Sequence, residues 1–250
     1  QCMSQVLRAI DYAHGQCRLS VVSTTSLKLS QYNGQNLQIG GGLQQIPAAG
    51  VTVSNTGLSA TTLYYVYAAM VSGAMVLELS TTGHSTATNG VETKTGDTSR
   101  TLVGMIATNA SSQFVDSLAS PTCFNWFNRR LISASAGVLS GAVAGSTFTE
   151  INTGLRLTFL AWADETVDVS VVGNMFGDTA SALLTLSPSL DSAQWGMGVS
   201  SSDSAAGLQR PATARAVALV SEGRHIASAI GKTSSGNVQF AVGVQLITRG

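Results

Sequence analysis

The residues that most often carry catalysis are few in this chain and widely separated. The 250 residues include 3 histidines and 13 acidic side chains. His14, His84 and His225 do not stand in an HExxH or HxH arrangement, which would gather metal ligands. The sequence has no GxSxG nucleophile elbow and no glycine-rich loop ending in Lys-Ser or Lys-Thr. We therefore predict no catalytic residue, no metal site and no cofactor.

Glycoside hydrolysis is the reaction that needs closest consideration, because it requires two carboxylates on opposite sides of a scissile bond. Asp164, Glu165 and Asp168 form the only dense acidic group. Asp164-Glu165 directly precedes an alternating segment that begins at Val167, which favours a solvated turn before a strand. We predict that the protein is not an enzyme, and a depolymerase of surface glycans is the alternative.

Trp126, Phe127, Arg129 and Arg130 combine aromatic and basic side chains within five positions. Base stacking with phosphate contact is one use of such a segment. Thirteen basic residues balance thirteen acidic ones, so no long-range field draws the chain to nucleic acid or to an anionic membrane. We predict that the segment closes an N-terminal domain, with its arginines at the junction between two domains, and that neither nucleic acid nor membrane is a partner.

A second aromatic segment places Trp195 and Met197 between glycines, ahead of a serine-rich run that includes Ser200 and Ser201. These four residues are predicted to form a contact loop, because a Trp supplies a large contact area at little rotamer cost. The alternative is a Trp195 side chain folded back to close the end of a β-sandwich.

Alternating short segments predict an all-β fold. Residues 238–248 place apolar side chains at every even position up to Leu246, which is the period of a half-buried strand. Asn33-Gly34 and Ser72-Gly73 each separate two β-rich runs and predict tight hairpins. Cys2, Cys17 and Cys123 have the spacing of neither a disulfide set nor a zinc site and are predicted to be free thiols.

Two successive β-sandwich or jelly-roll domains are predicted, covering residues 1–130 and 131–250. Met3, Val6, Leu7 and Ile10 recur at helical spacing and predict a short N-terminal helix over residues 3–14. The two domains are predicted to be joined near residues 129–147, a region that contains the small-residue stretch from Leu131 to Ser146.

The segments that carry a family resemblance are mainly packing and turn residues. They are Gly50–Val53, Gly57–Ser59, Leu63–Ala68, Leu77-Glu78, His84–Thr86, Gly90–Glu92, Thr101–Met105 and Trp126–Arg130. In this order they resemble fibre, spike and related virion modules of tailed bacteriophages, prophages and gene transfer agents. The C-terminal segments Phe148–Ile151, Leu155–Phe159 and Ser221–His225 resemble, more loosely, the trimeric jelly-roll heads that end phage fibres.

The resemblance implies a structural virion protein: a homotrimer assembled in the bacterial host cytoplasm onto other virion proteins, as a tail or head fibre or spike. It also implies that the distal domain meets a glycan or protein of the host surface, which makes Trp195, Met197, Ser200 and Ser201 a candidate host-contact loop. Sheets of small uncharged side chains agree with this, because a threefold interface can bury strand edges. A capsid decoration protein without a receptor role is the alternative.

Overall fold

The structure is a computed structural model that describes residues 13–202 and 205–250. Within these residues the chain is all-β, as predicted, and the one helical element is a 3-10 turn at Thr153–Leu155. The predicted helix over residues 3–14 falls almost entirely on residues 1–12, which lie outside the described residues. The chain divides into two compact units. Of the described residues, the N-terminal unit comprises 13–116, 122–130 and 250, and the C-terminal unit comprises 117–121, 131–202 and 205–249.

The N-terminal unit is made of short strands in several small sheets. Its strands are β1 (Cys17–Ser23), β2 (Ser26–Gln31), β3 (Asn36–Ile39), β4 (Gly42–Gln45), β5 (Val51–Ser54), β6 (Leu63–Val71), β7 (Ala74–Ser80), β8 (His84–Thr86), β9 (Glu92–Lys94), β10 (Asp97–Ala107) and β11 (Cys123–Asn125). One sheet has the order β1-β2-β5, and a second pairs β3 with β4. The third has the order β7-β6-β10-β9-β8, with β11 also paired to β10.

A single apolar core lies beneath these sheets. Alternate residues of β6, namely Tyr64, Val66 and Ala68, point into it together with Leu27 and Leu29 of β2. The opposite face of β6 carries Tyr65, Tyr67 and Ala69, because successive side chains of a strand point to opposite faces.

The C-terminal unit has longer strands that form two sheets around one core. Its strands are β12 (Leu131–Ala144), β13 (Thr149–Glu150), β14 (Leu157–Ala161), β15 (Thr166–Gly177), β16 (Leu183–Leu190), β17 (Ala193–Gln194), β18 (Val199–Ser202), β19 (Arg210–Leu219), β20 (Gly223–Thr233) and β21 (Asn237–Arg249). One sheet has the order β12-β21-β15-β19. The other has the order β13-β20-β16-β17, with β14 paired to β20 and β18 to β16. All pairings are antiparallel.

The period-two pattern of β21 is confirmed. Val238, Phe240, Val242, Val244 and Leu246 are all buried in the core of the C-terminal unit. They meet the inward residues of β15 and of the second sheet, so the alternation seen in the sequence corresponds to one buried face and one outer face.

Of the two predicted hairpins, one is confirmed and one is wrong. β6 pairs with β7 through a turn at Ser72-Gly73, where both residues have positive φ. Asn33 and Gly34 also have positive φ, but the strands on either side do not pair with each other. β2 pairs with β1 and β5, whereas β3 pairs with β4. A tight turn therefore reverses the chain without fixing which strands become neighbours.

The stretch from Leu131 to Ser146 is not a connector, contrary to the prediction. Most of it is β12, the longest strand of its unit, which pairs along its whole length with β21. Its side chains are small on both faces, so the sequence shows no clear alternation. Ala134 and Val143 are the buried positions of this strand. A bulge between Ala136 and Leu139 shifts the register and further obscures the period.

Candidate functional site

The segment from Phe124 to Arg130 is held in the N-terminal unit by two asparagine side chains. The buried Asn125 accepts a hydrogen bond from the Leu19 backbone N–H at 2.6 Å and donates to the Leu19 carbonyl at 3.3 Å. Asn128 donates to the carbonyls of Gly15 and Cys17, both at 2.9 Å. β11 and the residues after it are thus fixed to β1, more than 100 residues away in sequence.

These bonds position the side chains that the sequence singled out. The Trp126 ring lies 5.2 Å from the His84 ring and 4.5 Å from the Arg129 guanidinium carbon. His84 also packs edge-on against Tyr65 at 5.7 Å. Phe127 packs against His14 at 4.8 Å. Trp126 thus contacts the His84 ring and forms a cation–π contact with Arg129, both within the N-terminal unit.

Arg130 is the end of this segment, and its backbone pairs with that of Gly250 in both directions, at 2.8 and 3.0 Å. Its side chain is exposed. The four predicted junction residues thus lie in one continuous segment that ends where the C-terminal unit's main run of residues begins. Their role as a junction stays a prediction.

A charged cluster occupies the sheet next to this aromatic group. Glu78 contacts Lys94 at 2.5 Å and also binds Arg100, which lies 2.8 Å from Asp97. Partial burial alone raises the pKa of Glu78, but the hydrogen bonds and charges of Lys94 and Arg100 hold it below its ordinary value. The pKa of Asp97 is also lowered, chiefly by hydrogen bonds from Ser99. Each of these carboxylates is matched to a cation, so the cluster is suited to holding β7, β9 and β10 together.

His84 Nδ1 lies 2.6 Å from Oε2 of Glu92, within hydrogen-bond distance, and Thr86 donates to the same carboxylate. These residues belong to β8 and β9, two short strands in a segment rich in Thr and Gly. The contacts explain why this Thr- and Gly-rich segment forms strands, because they tie the two strands together across their pairing.

An amide-rich cleft of about 540 Å³ lies on the N-terminal unit. Its lining residues are Gln16, Gln31, Tyr32, Asn33, Gly34, Gln35 and Asn36. The side-chain amide oxygen of Gln16, Oε1, already accepts from two backbone N–H groups of this loop, at 2.9 and 3.0 Å. The Arg18 guanidinium covers the Tyr32 ring at 3.7 Å, and its buried Nε has no hydrogen-bond partner. Amides and a tyrosine are able to bind a neutral polar ligand through hydrogen bonds.

The structure places the candidate host-contact residues in and beside the β17–β18 connection. Trp195 is half-buried and packs against the core of the C-terminal unit, and its backbone N–H donates to the Pro188 carbonyl at 3.0 Å. Met197, by contrast, is 86% exposed at the tip. Ser200 and Ser201 belong to β18 rather than to the loop, and Ser200 hydrogen-bonds to Thr185 at 2.9 Å.

Gly196 allows this loop to lie against the sheet. Its φ is +73°, and a Cβ atom there would stand 2.7 Å from that of Ala216 in β19. The loop therefore combines a half-buried tryptophan with an exposed methionine, so both sequence interpretations of Trp195 retain structural support.

The acidic group of the C-terminal unit is spread over a turn and a strand. Asp164 lies in the turn before β15, and Glu165 approaches Arg249 at 4.0 Å. Asp168 in β15 forms a two-pronged pair with Arg215 of β19, and these hydrogen bonds lower the pKa of Asp168. The pairing occupies both oxygens of the Asp168 carboxylate.

His225 is a buried residue that sequence reasoning passed over. Its Nδ1 lies 2.8 Å from an oxygen of Asp191, and its Nε2 donates to the Ser221 carbonyl at 2.8 Å. Asp191 also accepts from the Ile226 backbone N–H. The two contacts of Asp191 fasten the β16–β17 turn to β20, and the contact with Ser221 fixes the other side of the His225 ring. The Asp191-Ser192 turn, where both residues have positive φ angles, is the one local feature that could have indicated these contacts.

The thiols of Cys17 and Cys123 are free and buried. Burial raises the pKa of Cys17 to about 12 and that of Cys123 still further above its ordinary range, so both remain protonated and unreactive at neutral pH. Among residues 13–202 and 205–250, no group of three or more His, Cys, Asp or Glu side chains converges on a metal position. No helix in this same part of the chain is long and apolar enough to cross a membrane.

No protein-family model and no curated protein sequence matches the chain. Among solved structures, it is similar to that of the infectious bursal disease virus Gx strain, with 12% identity, 93% of this chain and 69% of that chain covered, and a TM-score of 0.30. The VP2 subviral particle of infectious bursal disease virus is 11% identical, with 93% of this chain and 70% of that chain covered and a TM-score of 0.32. An insecticidal delta-endotoxin of Bacillus thuringiensis is 11% identical, with 93% of this chain and 51% of that chain covered and a TM-score of 0.29. TM-scores this low assign neither a fold family nor a function.

Proposed function

We propose that the chain is a structural virion protein of a tailed bacteriophage or prophage. In this role it forms a homotrimeric fibre or spike on the tail or head and takes part in attachment to the host surface. It is assembled in the bacterial cytoplasm onto other virion proteins. The observation that carries the proposal is the strand order of the C-terminal unit, taken together with the segments that resemble phage fibre modules.

That strand order supports a jelly roll. If β13 and β14 count as one strand, and β17 with β18 as another, the unit has eight strands. The first, third, sixth and eighth form one sheet in the order β12-β21-β15-β19, and the others form the second sheet. Every connection except that between the fourth and fifth strands crosses from one sheet to the other, which supports a jelly roll, an arrangement used in viral capsid and lectin domains. The step from fold to virion function is an analogy.

The N-terminal unit is proposed as the base module. Its main sheet follows the order β7-β6-β10-β9-β8, which is not that of a jelly roll, so we restrict the jelly-roll assignment to the C-terminal unit. A β-sandwich arrangement of the N-terminal unit stays a prediction.

A non-enzymatic role is part of the proposal. It is supported by Asp168 of β15, whose two carboxylate oxygens bind Arg215. It is also supported by Asp191, which is bound by His225 and by the Ile226 N–H. The balanced charge of 13 basic and 13 acidic residues supports an assembly without nucleic acid or membrane among its partners.

The location is tested by labelling purified phage particles with antibodies raised against the chain. We expect label on the tail or on the head surface, and light scattering of the purified protein at micromolar concentration to give three times the chain mass of 25.7 kDa. Particles that lack the chain would refute the virion assignment. A protein that stays monomeric would refute the trimer.

Attachment is tested separately from location with Trp195→Ala. Because the Trp195 side chain is half-buried, the variant is first compared with wild type by thermal unfolding. We expect lower adsorption of particles to host cells, with trimer formation retained. Met197→Ala is the matched variant at the exposed tip, where truncation costs little stability. If the Trp195→Ala and Met197→Ala proteins fold and their particles adsorb normally, a capsid decoration protein would be favoured over an attachment protein.

A further inference from the structure

We propose that the outer face of the sheet β12-β21-β15-β19 is the contact surface between copies of this chain. This inference rests on the proposed homotrimeric function and identifies the surface that would form the trimer. The outer face is defined by the side chains of these strands that point away from the core. Its members include Leu131, Ser133, Ser135, Val138, Ser140, Asp168, Ser170, Val172, Asn174, Phe176, Pro211, Thr213, Arg215, Val217, Leu219, Gln239, Ala241, Gly243, Gln245, Ile247 and Arg249.

The register of the sheet brings these residues side by side. Ser170 lies between Gln245 of β21 and Arg215 of β19. One position along the same face, Val172 lies between Gly243 and Thr213. The face is therefore a continuous surface of small, mostly uncharged side chains rather than a set of isolated residues.

Large apolar side chains are exposed on this face. Val138 is 69% exposed, Leu219 62% and Val217 53%, and Val172 and Ile247 are each more than 40% exposed. Single exposed apolar residues are normal, but a contiguous apolar patch on one face marks an interaction site. The outer face therefore presents apolar area that burial against a partner would stabilise.

The charges of the face already have partners within the unit. Asp168 and Arg215 bind each other with contacts that include 2.8 Å from Arg215 Nε to Asp168. Arg249, at the end of β21, lies 4.0 Å from Glu165 in the turn before β15. A strongly charged partner such as nucleic acid would find no unpaired charge to bind. In a threefold assembly the same faces of the two other copies present the same surface, so together they can cover the face without burying an unpaired charge.

A depression near the centre gives the face a shape that a partner can fill. Its volume is about 310 Å³, and it is lined by residues of β12, β15 and β21, including Val138, Val172 and Gly243. Gly243 contributes no side chain there, and the bulge in β12 between Ala136 and Leu139 passes beside it. An apolar side chain of another copy can insert between the two valines.

The size of the face matches what a stable assembly needs. The four strands are 14, 13, 12 and 10 residues long. With strands about 4.8 Å apart and a rise of roughly 3.3 Å per residue, such a sheet has a face of about 800 Å². A standard protein interface buries about this area on each partner. A partner copy could thus be held by this face alone.

The test compares Val172→Glu with Val22→Glu in the full chain. Val22 is equally an exposed valine in a strand, but it lies in β1 of the N-terminal unit. We expect Val172→Glu to weaken self-association by roughly a hundredfold or more, because a carboxylate would be buried without a partner at the interface centre. Val22→Glu should assemble like wild type. Mass is measured by light scattering over a concentration series.

Cross-linking provides a second measurement that keeps the fold of the face intact. In a Cys2→Ser background, Ser170→Cys places one accessible thiol on the face, because Cys17 and Cys123 are buried. A short bis-maleimide should join copies of the chain through Ser170→Cys. The matched variant Ser23→Cys, exposed in β1, should give at least about tenfold less product, since only thiols held close together react efficiently.

The outcomes separate this inference from the proposed function. If wild type assembles while Val172→Glu keeps the same mass, or if Ser23→Cys cross-links as well as Ser170→Cys, the face is not the interface, and the virion assignment stands. If wild type is monomeric throughout, both the interface and the trimer are refuted. Particle labelling then still decides independently whether the chain is a virion protein.

Discussion

The β-sheets of the two units are stabilised in different ways. The N-terminal unit uses short strands joined by side chains: Asn125 and Asn128 bind the backbone of β1, and Glu78 joins two neighbouring cations. The C-terminal unit uses strands of up to 14 residues around a continuous aliphatic core. Long backbone ladders satisfy most polar groups by themselves, whereas short strands need side-chain partners.

The distribution of charge follows the same difference. Glu78, Lys94, Asp97, Arg100 and the His84–Glu92 pair lie on one sheet of the N-terminal unit. The outer face of the C-terminal unit carries one internal ion pair. The comparison indicates that the N-terminal surface is built for solvent, while the C-terminal outer face is suited to contact with a similar surface.

The largest expected effect comes from creating a cavity in the core of the C-terminal unit. Phe240 is fully buried, and its ring packs over Gly231, where any Cβ atom would collide with it. We expect Phe240→Ala to lower the free energy of unfolding by about 3–5 kcal/mol through the cavity it leaves. Chemical denaturation measures this effect. Gln239→Ala, at the neighbouring outward position, should change stability by less than about 0.5 kcal/mol. Equal losses would contradict the aliphatic core as the main source of stability.

An intermediate effect is expected from the asparagine that joins β11 to β1. Asn125→Ala leaves the buried N–H and carbonyl of Leu19 without their side-chain partner and should cost about 1–3 kcal/mol. Asn89→Ala is the control, because Asn89 is exposed and accepts one hydrogen bond within its own turn. Thermal unfolding compares the two variants. If Asn125→Ala were no worse than Asn89→Ala, side-chain bonding would not be what holds the short strands.

The smallest effect concerns the charged cluster and depends on pH. Because the pKa of folded Glu78 lies below its ordinary value of 4.5, its charge stabilises the fold above that value. This contribution is lost as the pH falls through the folded pKa. Glu78→Gln should therefore cost less than about 1 kcal/mol at neutral pH, since the pair is partly exposed. The difference from wild type should vanish in acid. A difference that persists at low pH would point to lost packing instead of lost charge.

Two features of the fold could be predicted from the sequence. Period-two apolar patterns in β15 and β21 identified the buried face of the C-terminal unit, and Ser72-Gly73 identified a hairpin. In both cases the signal is local, because neighbouring residues alone decide it. The buried hydrogen bonds of Asn125 and His225 could not be predicted, because their partners lie 106 and 34 positions away in the sequence and no local pattern marks such a bond.

What the sequence by itself determined is the all-β class and the direction in which the clearly alternating strands face. These follow from steric preferences and from the two-residue repeat of a strand. Only the tertiary structure decided which strands are neighbours. Asn33-Gly34 turns the chain between two sheets rather than within one, and the small-residue stretch from Leu131 becomes the strand β12 because β21 pairs with it along its length. Strand pairing is set by backbone hydrogen bonds that any residue except proline can make, so side-chain identity does not specify it.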